Sequence, residues 1–319
     1  MKAFFYNEYG DVSVLQHGEI NNPKDVLGGE VLVKVNFFSL NPLDYKLRNG
    51  MLKLMTFRTF PRTTGSDFSG EVIAIGKSVN NFKVGDKVFG FLSQLSEGTS
   101  SQFIKVKESI LAKIPSNLPI SDAAAVPLAA LTSYQALAIL AKAKKGNKIL
   151  INGASGGTGI FAIQIAKILG ADVTSVTSHR NTQWMHDEFS VNEAIDYTEE
   201  NFPNNLEKNK YDIIYDCYGN FSFNKIKDFL NTHGTFITTD PFKFESIIGR
   251  LTSKFSKKSF LSVIVDSNGF DLKIIKDWIE EEKIKVFIDK KYNFSETKKA
   301  YNHLETQRVK GKIVVQMDH

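Results

Sequence analysis

The chain has 319 residues and a mass of 35.8 kDa, more than one hydrophobic core usually covers, so two domains of ordinary size are expected. Forty basic residues against 35 acidic ones give a formal net charge of +5, with both signs interspersed along the length, which argues against a nucleic-acid partner. The single cysteine, Cys217, excludes an intrachain disulfide and a four-thiolate zinc site and fits a reducing compartment.

The amino-terminal run MKAFFYNEYGDVSVLQ has a short hydrophobic start broken by Asn7, Glu8 and Gly10. It is too short for a secretory core or a membrane span, so a cytoplasmic protein with no integral membrane segment is expected. Residues 1 to about 120 read as strand-rich, with β-branched runs at Val31–Phe37 and Glu71–Ile75 punctuated by Gly and Asn-Pro turns. Ser121 and Asp122 can cap a helix through Ala123, Ala124 and Ala125, and a second helical stretch is predicted over Leu131–Leu140.

Strands and helices then alternate. Strands are predicted at Lys148–Asn152, Asp172–Thr177, Asp212–Tyr215 and Thr235–Thr238, with helices at Ile160–Leu169 and Ile226–Leu230. That alternation implies βαβ crossovers and a doubly wound parallel sheet, so the fold class is α/β. A strand-like Phe260–Val265, an amphipathic helix Asp271–Glu282 and a closing strand Lys312–Gln316 come next. The expected domains are residues 1–121 (β-rich), 122–266 (nucleotide-binding) and 267–319 (a return to the first). The densest basic stretch, Lys254 to Lys258, reads as a solvated loop.

The sharpest local signal is KILINGASGGTG, Lys148 to Gly159, a buried strand running through glycines into a helix. Gly153 can take the tight turn, Gly156 lets backbone approach a pyrophosphate, and Gly159 lets the helix pack close to the strand. Ser155 lies within the turn, and amides around Gly157 and Thr158 would offer donors and a positive dipole end to phosphate. The spacing is not the strict G-x-G-x-x-G, and such a turn can also exist without a ligand.

Where an NAD site would place an acid for the ribose hydroxyls, this sequence reads Thr177, Ser178, His179, Arg180 and Asn181. A guanidinium at Arg180 and a hydroxyl at Ser178 suit a 2′-phosphate, so NADPH is the expected cofactor. An exposed polar loop with an ordinary arginine is the plainer alternative.

Four segments, GEVLVKVNFFSLNPLDYKLRNG (29–50), GSDFSGEVIAIGKSVNNFKVGDKVFGF (65–91), VPLAALTSYQAL (126–137) and the glycine turn, together resemble the medium-chain dehydrogenase/reductase superfamily over nearly the whole chain. They are similar to its quinone oxidoreductase branch, near the enone and alkenal reductases. The resemblance implies a GroES-like catalytic domain, a Rossmann domain and an active site in the cleft between them. Asn41, Ser66 and Leu128 stand where the zinc-dependent members of the superfamily carry ligands, so no metal site is expected. The six histidines, His17, His179, His186, His233, His303 and His319, show no paired ligand spacing.

The resemblance also implies Thr132 at a cofactor-facing position, Tyr197 by the adenine end, Cys217 to Gly219 beside ribose and nicotinamide, and Thr238 and Thr239 at the end of the next strand. Cys217 taken alone could be a small core hydrophobe.

Hydride transfer belongs to the nicotinamide, so the protein has to bind, orient and polarise. Asn41, Tyr45 and Lys46 are the candidate donors to a developing enolate or hydroquinone oxygen. Asp44 is expected to fix their loop. The related enoyl-thioester reductases carry a proton-donating tyrosine where this chain reads Asn49, Gly50, Met51 and Leu52, so quinones or small conjugated carbonyls are expected as substrates rather than acyl thioesters. Phe242, Phe244, Phe255 and Phe260 could wall an apolar pocket, form a dimer surface or be ordinary core. A homodimer is one open assembly state, and a non-catalytic, redox-sensing or crystallin-like NADPH-binding protein is the alternative function.

Overall fold

Val31, Val33 and Val35 alternate with the less buried Glu30, Leu32, Lys34 and Asn36 along strand Glu30–Ser39 and bury on one core, the period-two pattern of a half-covered sheet. The computed structural model describes residues 1–53, 60–93 and 97–319. They form two units, Met1–Leu131 with Ser267–His319, and Thr132–Asp266. The first boundary lies after Leu131 rather than after residue 121, because Ile120–Ala123 packs on strands Glu30–Ser39, Asp67–Ile75 and Lys312–Gln316 of the first unit.

In the first unit a seven-stranded mixed sheet runs Ile288–Asn293, Lys312–Gln316, Glu30–Ser39, Asp67–Ile75, Lys87–Phe91, Leu111–Lys113, with Phe103–Lys107 also pairing to Glu30–Ser39. A smaller sheet holds Gln16–Glu19, Lys2–Tyr6 and Arg62–Thr63. In the larger sheet Ser39 pairs with Asp67 on one side and Val314 on the other. This register brings the ends of three strands from distant parts of the chain to one place.

The second unit is a six-stranded parallel sheet in the order Glu193–Asp196, Asp172–Thr177, Lys148–Asn152, Tyr211–Asp216, Leu230–Thr238, Ser259–Ser262. Numbered within the unit this is 3-2-1-4-5-6, the dinucleotide-binding order whose direction reverses between strands 1 and 4. The expected α/β class and parallel sheet are present.

Several elements differ from the sequence expectation for identifiable reasons. The helix expected over Leu131–Leu140 begins at Pro127, whose fixed φ suits a first turn, and runs to Tyr134 before a π-helical Gln135–Leu140. Neither Ser121 nor Asp122 is a cap: Pro119 holds that position and Asp122 lies in the first turn of Ile120–Ala123, where its charge suits the helix dipole. Ile226–Leu230 is not one helix. Phe223, Ile226 and Phe229 bury every third residue, and the chain matches that spacing with a short helix Phe223–Ile226, a 3₁₀ turn Lys227–Phe229, and Leu230 already in the next strand. Beyond Thr177 the chain is no loop, since His179–Phe189 is helical with Ser178 at its N-cap.

Candidate active site

The glycine turn is built as its spacing requires. Gly153 has φ +76°, a conformation that favours glycine. Gly159 has no room for a side chain, because a Cβ there would lie 2.2 Å from the Gly153 carbonyl oxygen. Helix Gly157–Ile168 starts from Gly156, an N-cap without a side-chain hydrogen bond, so its first amides and dipole end are offered to an incoming anion. Ser133 Oγ donates to the Thr158 carbonyl at 2.9 Å, tying the preceding helix to this turn. Thr132, next to it, is buried, and its carbonyl accepts from the Tyr215 hydroxyl at 3.5 Å.

Ser155 and Ser178 meet through Asn181, whose amide donates to Ser155 Oγ at 3.0 Å and Ser178 Oγ at 3.5 Å, while Thr177 Oγ1 donates to Ser155 at 2.9 Å. Arg180 is exposed on the first turn of its helix. Tyr197 is also exposed, and its backbone N–H donates to Thr177 O at 2.9 Å, which sets it at the same strand end. An acid does stand here, contrary to the reading of residues 177–181 alone. Asp196 pairs with Thr177 across the sheet. It accepts from the Thr198 amide and hydroxyl and lies 3.2 Å from His179 Nδ1. These partners outweigh its burial and hold its carboxyl below the usual range.

At the point where the strand order reverses, Asn152 and Asp216 face each other in register. The Asn152 amide donates to Asp216 Oδ1 at 2.8 Å and to Asn220 Oδ1 at 2.7 Å, and Asp216 also accepts from the amides of Gly219 and Phe221. Burial pushes the Asp216 carboxyl up against these hydrogen bonds. The two residues thus shape the loop carrying Cys217 and Gly219, and neither was singled out from the sequence, because their pairing spans 64 residues. Cys217 is half-buried, and burial of its thiol, reinforced by the Asp216 carboxylate, pushes it well above the ordinary value. It is a neutral thiol, not a nucleophile. Thr239 Oγ1 donates to Cys217 O at 3.1 Å, and Thr238 Oγ1 accepts from the Asp240 amide at 3.2 Å. Gly219 has φ +77°, and its carbonyl accepts from Lys243 Nζ. These residues fit a dinucleotide: a Cβ-free turn, an uncapped helix start and hydroxyls at the adjoining strand ends.

The first unit holds a different kind of cluster. Asp67 is fully buried and accepts from Ser39 Oγ at 2.7 Å, Asn41 Nδ2 at 2.9 Å, the Leu128 amide at 2.6 Å and Lys312 Nζ at 3.1 Å. Lys312, also buried, donates in addition to Asn41 Oδ1 at 2.5 Å and Leu40 O at 3.3 Å. Beside it Asp44 accepts from the Asn41 amide and Ser66 Oγ, both at 2.9 Å, and from the Tyr301 hydroxyl at 3.3 Å. Burial raises the Asp44 carboxyl to about 6. Asp67, Lys312 and Tyr301 escaped the sequence reading, since each looks like an ordinary strand or helix residue until the register joins them.

Asn41, Ser66 and Leu128, the positions aligned with zinc ligands, all direct N–H or O–H groups at carboxylates here, and an ammonium lies among them. A divalent cation needs lone pairs pointing inward, so these residues do not fit one. Among the described residues no three His, Cys, Asp or Glu side chains converge as a metal site. Tyr45 and Lys46 are half-buried on helix Pro42–Arg48, and Tyr45 packs against the core of its unit.

Two family models match the chain: the alcohol dehydrogenase GroES-like domain over residues 28–116 and the zinc-binding dehydrogenase domain over residues 189–315. A chloroplast envelope quinone oxidoreductase homologue of Arabidopsis thaliana is 32% identical, covering 99% of this chain and 98% of that protein. A 2-methylene-furan-3-one reductase of Solanum lycopersicum is 32% identical over 99% of this chain and 79% of its own length. Among solved structures, the quinone oxidoreductase from Coxiella burnetii is 28% identical with a TM-score of 0.91, covering 100% of this chain and 99% of that one.

Proposed function

The chain belongs to the quinone oxidoreductase and enone reductase branch of the medium-chain dehydrogenase/reductase superfamily, and on that premise we propose that it uses NADPH, without zinc, to reduce a quinone or a small α,β-unsaturated carbonyl. Its chemistry is pyridine-nucleotide oxidoreduction, and the bound nicotinamide supplies the hydride. Gly153, Ser155, Gly156, Gly157, Thr158 and Gly159 would hold the pyrophosphate. Ser178, Arg180 and Tyr197 would hold the 2′-phosphate, and Thr132, Cys217, Gly219, Thr238 and Thr239 the nicotinamide end.

The observation that carries the metal-free reading is the Asp67 and Lys312 cluster, which fills the ligand positions with its own hydrogen bonds. Without a Lewis acid, reducing a saturated ketone requires stabilising a nearly full alkoxide. Conjugation removes that demand, because an enolate or hydroquinone oxygen is far less basic. Modest donors then suffice: the Tyr45 hydroxyl, the Lys46 ammonium, or the second N–H of Asn41, whose first is given to Asp67. The single cysteine supports a reducing compartment such as the cytoplasm, and no helix of the described residues is long and apolar enough to cross a membrane.

The test is NADPH consumption by chelator-dialysed protein against a panel of quinones, enals, enones, saturated ketones and simple alcohols. Turnover confined to the conjugated substrates, undiminished by dialysis, is the expected result. A rate lost on dialysis and restored by zinc contradicts the reading, as does a fluorescence shift of NADPH without consumption. Lys46→Ala or Tyr45→Phe lowers kcat on the order of tenfold if that residue is the oxygen's donor.

A further inference from the structure

Helix Phe244–Ser253 in the second unit is amphipathic the wrong way round. It lies on its own core through small residues: Ser246 is buried, and a Cβ on Gly249 would sit 2.9 Å from both Phe223 and Phe260. Ile248 is half-buried, and its other large apolar residues point away. Phe244 is 71% exposed, Ile247 49% and Leu251 55%, at spacings that make one stripe, and Phe255, just beyond the helix, is 93% exposed. Of the four phenylalanines that could have walled a pocket, only Phe260 is buried; Phe242, Phe244 and Phe255 face solvent. A continuous apolar stripe of this kind marks a surface that meets something other than water.

Charge identifies what it meets. Between Pro241 and Lys258 stand five basic residues, Lys243, Arg250, Lys254, Lys257 and Lys258, against the single acid Glu245, whereas the whole chain has a net charge of only +5. The exposed apolar stripe thus lies in a stretch with a local excess of four positive charges. Beside Phe255 a shallow hollow of about 390 Å³ is bordered by Asn224, Lys227, Asp228, Ser256 and Lys258, which is room for a polar headgroup next to an apolar anchor.

We propose that this helix and the Lys254–Lys258 turn form a peripheral docking surface for an anionic lipid bilayer. Phe244, Ile247, Leu251 and Phe255 enter the boundary between headgroups and acyl chains, while the lysines around them remain among the anionic headgroups. A second copy of the chain is a poorer occupant, because a self-complementary contact would set one basic cluster against another. The docking is independent of the reaction proposed above.

The experiment is co-sedimentation of the full chain with phosphatidylcholine vesicles, with and without roughly a third phosphatidylserine. Binding is expected only to the anionic vesicles, with release on going from about 0.1 M to about 1 M salt as screening shortens from about 10 to about 3 Å. The double substitution Ile247→Ser/Leu251→Ser, and separately Lys254→Glu/Lys257→Glu, should each weaken partitioning about tenfold or more with the melting temperature unchanged. No sedimentation of the folded wild type with anionic vesicles overturns the proposal. So does full binding by both variants, or light scattering that shows a dimer which either variant splits.

Discussion

The glycine turn and the Asp67 cluster both organise polar groups in a core, and they do so by opposite means. The turn uses consecutive backbone amides and excludes a side chain at Gly159, where a Cβ would meet a carbonyl at 2.2 Å; its donors are left for an anion that the protein does not itself contain. The cluster uses side chains from three strand ends, a helix and its N-cap, and every principal charge in it already has protein partners. One region is prepared for a charge from outside; the other has satisfied its own. That difference is why the turn suits a phosphate-bearing cofactor while the Asp67 cluster does not suit a divalent cation.

Breaking the buried pair tests this contrast most severely. Lys312→Met alone, or Asp67→Asn alone, leaves a buried group without its charge partner and should cost about 3 to 5 kcal/mol in urea unfolding, whereas the two substitutions combined should cost clearly less than the sum. Additive losses would mean that the two side chains do not depend on one another. Asp44 gives the next largest effect. Its folded carboxyl titrates near 6 rather than 3.8, so between those values the folded state holds more proton than the unfolded one. Stability should therefore fall as pH rises through that window, by about 3 kcal/mol, and stay at the lower level above it. Asp44→Asn should flatten the slope, and an unchanged slope would assign it to other groups.

Arg180→Ala should remove a charge-assisted phosphate contact worth roughly 1.5 to 3 kcal/mol, raising the NADPH KM by about one to two decades while NADH is nearly unaffected. Equal wild-type use of both cofactors would remove the ground for this prediction. The smallest structural effects separate two glycines of one turn. Gly159→Ala meets backbone and should cost about 1 to 3 kcal/mol of stability. Gly156→Ala meets only an ordinary 3.4 Å contact with Gly153 O; it should leave the melting temperature unchanged and weaken NADPH binding, as read by fluorescence titration.

What was legible in the sequence divides along the same line. The strand, turn and helix from Lys148 to Ile168 are contiguous, and their glycine spacing carries a backbone meaning that needs no long-range contact. The helix at Pro127 and the broken segment Phe223–Leu230 were misplaced at their ends, because apolar spacing alone does not separate α, 3₁₀ and π turns. Asn41 was read as a missing ligand and a candidate donor, and Ser66 only as a missing ligand; their partners Asp67 and Lys312 come together through sheet register across as many as 271 residues, whereas Asp44, expected to fix this loop, meets Asn41 locally at the start of helix Pro42–Arg48. Asp196 was overlooked for the same reason, since it reaches the end of strand Asp172–Thr177 from the neighbouring strand. The outward stripe of Phe244, Ile247 and Leu251 has the spacing of a core face, and only the structure shows which side faces solvent.

The central claim is that hydride passes from NADPH to the β-carbon of a conjugated acceptor without a metal. Incubating chelator-dialysed protein with NADPH deuterated at the transferring C4 position and a small enone, then locating the label in the product by NMR, tests it directly. Deuterium at the β-carbon of a saturated ketone is the predicted result. Deuterium at the carbonyl carbon of an allylic alcohol, or no NADPH consumption with either the enone or a quinone by folded protein that binds NADPH, would contradict it.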